Sequence, residues 1–180
     1  MSGKTTGKEL YYNFDSGIYC FFPFENFDKK GNAVFKIGNT QQSFQERLAQ
    51  YHTYFIHGVW VLGMLEVKAK RGQTLPVEFK NVLNQIEDWV LNEIVNEGGK
   101  ILHDNRRVWK QGQSEWVYSN MAQVKRAFDK AVVHFKTIYT DLKLVVNFVN
   151  MKKTTEEINA SHSERKKIKN KYVGEYIFPL

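Results

Sequence analysis

The chain has 180 residues, of which 42% are hydrophobic and 14% aromatic, and its formal net charge is +7. This apolar content excludes a long disordered chain and predicts one domain with a buried core. A single cysteine, Cys20, excludes a disulfide framework and a multi-cysteine zinc site, and favours a reducing intracellular compartment. The excess of 26 Lys and Arg over 19 Asp and Glu favours polyanionic partners such as nucleic acid.

The first half of the chain predicts three strands. Residues 17–22 and 33–38 are rich in β-forming side chains and flank polar turn residues, so we expect an antiparallel hairpin. A helix carrying Arg47 follows. Residues 58–67, rich in Val and Leu, predict a third, central strand.

The second half predicts two helices and two short strands. An apolar stripe at helical spacing begins after Pro76 and ends before Gly98. Residues 101–103 and 115–118 are strand candidates, and a long helix is expected from residue 121 onward.

We therefore expect an α/β (α+β) fold with a small, mainly antiparallel central sheet flanked by helices. The expected organisation is a lead-in over 1–13, a domain over 14–120, a C-terminal helix over 121–151 packed on it, and a basic tail over 152–180. The polar start lacks the apolar stretch of a signal peptide. The longest apolar run is well short of the roughly 20 residues that span a membrane, so no membrane partner is expected.

An ordered set of motifs carries the strongest functional signal. The first strand contains Gly17-Ile18-Tyr19, the second contains Lys36-Ile37-Gly38, Arg47 lies on the next helix and Glu87 on the second long helix. This order resembles the GIY-YIG nuclease superfamily over about residues 14 to 120. It is most similar to the branch of phages and large DNA viruses, whose second motif reads Lys-Ile-Gly before a threonine and an Arg-Leu helix. Glu115-Trp116-Val117 is similar to the late Glu-Trp-Phe strand of that branch.

The resemblance implies a GIY-YIG-like fold. It also implies a metal-dependent endonuclease that hydrolyses phosphodiester bonds in DNA. Tyr19 would position or deprotonate the nucleophile, and Arg47 would bind the phosphate. Glu87 would be the protein ligand of Mg²⁺ or Mn²⁺, with no organic cofactor. Tyr51, about one helical turn after Arg47, would contact the site. The resemblance also implies a virus-encoded protein of the host cell or virion.

Lys36 departs from the name-giving motif, which has a tyrosine at this position. A lysine beside the site can contact phosphate, or carry a proton if its pKa is lowered. The alternative is a solvated strand residue. The departure also favours a second reading of the whole chain, as a catalytically inactive GIY-YIG-like module that binds nucleic acid or builds a virion.

Glu87 also stands out from helical phase alone. It falls inside the apolar stripe, where an unpaired carboxylate costs roughly several kcal/mol and a metal or an arginine would remove that cost. Glu93 intrudes on the stripe from its other edge and is the alternative ligand. The simpler interpretation is that Glu87 flanks the core and bends towards water.

The C-terminal tail contains a basic run that can follow a phosphate backbone, although such runs are more often solvated. Its candidate nucleic-acid-binding residues are Arg165, Lys166, Lys167, Lys169 and Lys171.

Overall fold

The computed structural model describes residues 15–23, 31–43, 46–47, 59–102, 116–149, 151–152, 155–156 and 158–160. Within these ranges the chain is mixed α+β, with one antiparallel sheet and two long helices. The elements are β1 (Gly17–Pro23), β2 (Asn32–Thr40), β3 (Val59–Ala69), α1 (Phe79–Asn96), β4 (Lys100–Ile101), β5 (Trp116–Asn120), α2 (Met121–Phe135) and β6 (Leu142–Phe148).

The sheet has the strand order β4-β5-β2-β1-β3-β6, and each neighbouring pair is antiparallel. The expected hairpin is confirmed, with Gly17 opposite Thr40 and Phe21 opposite Lys36. Residues 18–22 of β1 are fully buried, so both faces of this strand are covered. A continuous run of β-branched and aromatic residues suits such a position, because side chains alternate between the two faces.

The two helices pack against each other and against the sheet. The apolar stripe predicted for α1 is its buried face, running from Phe79 to Ile94, and α1 touches β1 and β2. The helix ends at Asn96, and Gly98 then adopts the left-handed region at φ +107. Asn120 caps α2, because its side-chain oxygen accepts the backbone N–H of Gln123 at 2.9 Å.

The expectation of one helix over 121–151 is wrong beyond Phe135. Helix α2 ends there, and Leu142–Phe148 forms the edge strand β6 beside β3. The seven residues of β6 pair in antiparallel register with β3, from Leu142 opposite Ala69 to Phe148 opposite Gly63. The backbone groups along the edge of β3 need partners, and β6 supplies them.

The bounds of the other described strands and of α1 agree with the sequence reading to within a few residues. The lead-in over 1–13 and most of the expected tail over 152–180 lie outside the described residues. Ile158, inside the expected tail, is fully buried in the hydrophobic core. Among the described residues, none of the helices has the length and apolarity needed to cross a bilayer.

Docking of β6 on β3 predicts energetic coupling between Gly63 and Phe148. The two residues are cross-strand partners, and a Cβ at position 63 would overlap the Phe148 ring. Gly63→Ala should therefore destabilise the fold by about 1–3 kcal/mol, measured by urea unfolding. In a Phe148→Ala background the same change should cost clearly less, because the overlapping ring atoms are gone. Equal costs in both backgrounds would contradict this register.

Candidate functional site

Tyr19 and Arg47 are brought together at the open end of the β1–β2 hairpin, where β1 begins and β2 ends. The Arg47 Nε–H donates a hydrogen bond to the Tyr19 hydroxyl oxygen at 3.3 Å. Tyr19 lies opposite Gly38, and a Cβ at position 38 would overlap the hydroxyl end of the tyrosine ring. The glycine of the Lys36-Ile37-Gly38 motif is therefore needed for close approach, because it lets the tyrosine lie across the neighbouring strand.

The backbone between β2 and Arg47 explains how the arginine reaches this point. Ser43 caps the helical segment, since its hydroxyl accepts the Glu46 backbone N–H at 3.3 Å and its carbonyl accepts that of Arg47 at 3.1 Å. Arg47 thus lies in a helical pair with Glu46, close after the last residue of β2. The hydrogen bond to Tyr19 then holds the guanidinium group at the hairpin.

Lys36 is buried on β2, with 6% of its surface exposed. Strand register places it between Phe21 on β1 and Trp116 on β5, and its Nζ lies 5.9 Å from the centre of the Trp116 ring. Burial lowers the pKa of Lys36 from its ordinary 10.5 to about 8. The carboxylate of Glu87 opposes this shift, and the charge of Arg47 adds to it.

Glu87 on α1 is buried as its helical phase predicts, with 7% exposed. Asn39, near the end of β2, donates from its Nδ2 both to the Glu87 carboxylate and, at 3.0 Å, to the Asn84 side-chain oxygen. The Lys80 ammonium group donates to the Asn39 side-chain oxygen. These contacts join one residue of β2 to three residues on successive turns of α1.

The charges of Lys36, Lys80 and Glu87 lie in one region, because Glu87 affects the pKa of each lysine and each lysine affects that of Glu87. Burial raises the pKa of Glu87 and the charge of Asp88 adds to the rise, while the hydrogen bond from Asn39 and the charges of Lys36 and Lys80 oppose it. Burial also lowers the pKa of Lys80, with Glu87 and Arg47 acting on it in opposite directions. Lys36 and Lys80 thus act on one buried carboxylate, and Arg47 acts on both lysines, so these cations together suit an anionic group such as phosphate.

The predicted residues Tyr19, Lys36, Arg47 and Glu87 therefore lie near one another at the end of the hairpin. The following residues join this cluster and were missed by sequence reasoning: Asn39, Lys80 and Asn84. One signal could have found two of them, since Lys80, Asn84 and Glu87 are spaced i, i+4, i+7 and so share one helical face. We call these seven residues the hairpin cluster.

Other candidates lie elsewhere. Glu93 faces α2, with its carboxylate 3.5 Å from the Lys130 ammonium, and lines a surface groove of about 540 Å³ beside Trp89 and His134. Tyr51 lies outside the described residues, as do the basic residues of the tail: Arg165, Lys166, Lys167, Lys169 and Lys171.

Exposure varies across the hairpin cluster. Tyr19 is fully buried, and Lys36 and Glu87 nearly so, whereas Lys80 and Asn84 are exposed on the surface of α1. A ligand approaching Glu87 along α1 therefore meets Lys80 and Asn84 first.

Within the described part of the chain, no three His, Cys, Asp or Glu residues are grouped to hold a metal, so a metal here would rely on Glu87 with neutral oxygens or water.

Burial of the Lys36 charge predicts that its removal stabilises the fold. Below pH 8 the ammonium is protonated in both the folded and unfolded states, and its desolvation lowers stability. Lys36→Met should raise the free energy of unfolding at pH 7 by roughly 3 kcal/mol, the equivalent of the pKa shift. Between pH 8 and 10.5 the folded state loses the proton first, so wild-type stability should rise and the difference should shrink.

Urea unfolding at pH 7 and pH 10 measures this effect, with Lys70→Met, at an exposed position, as the matched control. A Lys36→Met protein that is less stable than wild type at pH 7 would contradict the argument.

Comparison of the chain with protein-family models, with curated proteins and with solved structures gives no match in any of the three. The function is therefore inferred from the chemistry of the hairpin cluster.

Proposed function

We propose that the protein is a metal-dependent endonuclease that hydrolyses phosphodiester bonds in DNA. The observation that carries the proposal is the hairpin cluster itself. A tyrosine hydroxyl bonded to an arginine lies in the same region as a lysine with a lowered pKa and a buried glutamate. These are the group types that phosphodiester hydrolysis needs, namely a proton acceptor, phosphate-binding cations and a carboxylate for a metal. The ordered motifs that resemble the GIY-YIG superfamily support the same reading.

Phosphate binding falls to the cations of the hairpin cluster. The Arg47 guanidinium provides a planar set of donors for the non-bridging oxygens, and its bond to Tyr19 fixes its orientation. Because these donors are partly withdrawn from water, their attraction for the charge that develops on the phosphate is strengthened.

Proton transfer falls to Tyr19 and Lys36. In the reaction a water oxygen forms a new bond to phosphorus, the bond from phosphorus to one sugar oxygen breaks, and one proton leaves the water while the departing oxygen gains one. A lysine with a pKa of about 8 exists in both protonation states near neutral pH, which suits it to exchange a proton as well as to bind phosphate. Tyr19, held at the arginine, orients the attacking water.

A divalent metal fits the chemistry of this region. Glu87 has the hard carboxylate oxygens that Mg²⁺ and Mn²⁺ prefer, and its burial makes the unneutralised charge costly. Glu87 would hold the ion, which when bound acts as a Lewis acid on the phosphate oxygens. The residues that bind and orient the phosphate remain Arg47 and Lys36.

A second candidate function is binding of DNA without cleavage. The observation that favours it is the engagement of Glu87 by Asn39, and of Asn39 by Lys80, which occupies the carboxylate with protein donors. In that case the cations of the hairpin cluster hold the phosphate backbone and no bond is broken.

The endonuclease proposal predicts nicking of supercoiled plasmid by the purified protein with Mg²⁺, and its loss with EDTA. Arg47→Ala should lower the rate about 10²-fold or more, because a donor to the charged phosphate is removed. Glu87→Gln should abolish nicking. Arg71→Ala, in an exposed turn, and Glu93→Gln, on the α2 side of α1, are the matched controls and should cleave like wild type.

A wild-type protein that never nicks DNA, or nicking unchanged in both site variants, would contradict the proposal. Salt-dependent retardation of duplex DNA without nicking, with a salt slope lowered by about one in Arg47→Ala, would favour the second candidate instead.

A further inference from the structure

Two side-chain oxygens at the end of the hairpin converge on one point. The Asn84 Oδ1 and one Glu87 carboxylate oxygen both accept from the same atom, the Nδ2 of Asn39. Asn84 and Glu87 are one helical turn apart on α1, so the helix holds their spacing, and Asn39 is fixed on β2 in the interior of the sheet. A cation in place of the Asn39 amide nitrogen would therefore meet two oxygens on a rigid frame.

The remaining atom of this group already contacts a cation. The Asn39 Oδ1 accepts from the Lys80 ammonium, which extends from the exposed first turns of α1. Lysine has a long, flexible stem, and its charged end can return to water at low cost from an exposed position. The ammonium group therefore serves as a removable positive charge beside Glu87.

An exchange of the two ends of the Asn39 amide changes what this group can bind. The amide oxygen and nitrogen are nearly the same size, so a half turn of the amide preserves packing. After the turn, three oxygens from Asn39, Asn84 and Glu87 face one another, which is unfavourable without a cation between them. The amide nitrogen then faces the Lys80 ammonium, and because both groups only donate, the lysine must leave.

We propose that Asn39, Asn84 and Glu87 form a three-oxygen site for a divalent cation such as Mg²⁺ or Mn²⁺, whose place is held in its absence by the Asn39 amide nitrogen, with the Lys80 ammonium on the opposite end of that amide. One carboxylate and two amide oxygens, completed by water, match the ligands that hard divalent cations take. The site deepens the proposed function, because it assigns two metal ligands beyond Glu87. Its existence does not depend on DNA cleavage.

Binding of Mn²⁺ to the purified full-length protein tests the site without DNA. Free Mn²⁺ is counted by electron paramagnetic resonance, and competition with Mg²⁺ checks that both ions use one site. Wild type should bind one Mn²⁺ that Mg²⁺ displaces. Asn84→Leu should weaken binding at least about tenfold, as loss of a ligand does, and Asn81→Leu, on the exposed side of the same helix, should not change it.

Substitution of Lys80 should change Mn²⁺ affinity in the direction opposite to Asn84→Leu. Lys80→Met should tighten Mn²⁺ binding several-fold, because the competing ammonium is removed. Asn39→Asp should also tighten it, since a carboxylate oxygen then faces Glu87 without any turn of an amide. Asn39→Asp should in addition gain thermal stability from Mn²⁺, because the added charge is buried beside Glu87.

The inference is overturned if wild type shows no saturable Mn²⁺ binding at millimolar concentration, if Asn84→Leu binds like wild type, or if Lys80→Met binds more weakly. The outcome is separable from that of the nuclease test. If the protein nicks plasmid and Asn84→Leu binds Mn²⁺ like wild type, the endonuclease proposal stands and the three-oxygen site is rejected. Asn84-dependent Mn²⁺ binding without nicking would do the reverse.

Discussion

Burial of the Glu87 carboxylate is the constraint on which the rest of the site depends. A charge in the apolar face of α1 is costly unless donors and opposite charges meet it. Asn39 and the cations Lys36 and Lys80 meet that need, and they come from β2 and from α1 itself. The contact with Asn39 therefore helps to specify how α1 lies on the sheet, because a shift along the strand would leave the carboxylate facing apolar side chains. The site and the packing of the helix are in this sense one arrangement.

Much of the fold could be predicted from periodicity, and the failures have a physical cause. Strands β1 to β3 and the stripe of α1, including the buried position of Glu87, follow from local patterns of apolar residues. Strand β6 was mistaken for helix because Phe135, Ile138 and Leu142 continue a helical spacing, and no local pattern reveals that the edge of β3 needs a partner. Asn39, Lys80 and Asn84 were missed for a related reason. Polar residues at a strand end or on a helix surface are usually solvated, and their role appears only when α1 and β2 meet.

At two positions of the hairpin, the residue present lowers the stability of the fold and contributes to the hairpin cluster. Gly38 is kept without a side chain so that the Tyr19 ring can lie across it, and the flexibility of glycine in a strand is a cost to folding. Lys36 is buried in a place where its charge loses solvation that an apolar side chain would not need. A fold selected for stability alone would avoid both choices. Residues that weaken a structure while holding charged or polar groups together are typical of functional sites, whether or not the chain resembles a known family.

The exposed position of Lys80 links the two ligands that the hairpin cluster is proposed to take. A phosphate group that binds along α1 attracts the Lys80 ammonium group. When this ammonium group turns towards the phosphate, it leaves the Asn39 side-chain oxygen. The Asn39 amide can then turn its oxygen to a divalent cation at Glu87 without facing the lysine. Phosphate and metal would in this way strengthen each other's binding, and by linkage the factor must be the same in both directions. Lys80 lies between the two events, so a methionine at this position should tighten metal binding alone and weaken the coupling between metal and phosphate. A cluster that binds each ligand weakly by itself would then be complete only when both are present, which is the state in which a phosphodiester bond can be cut.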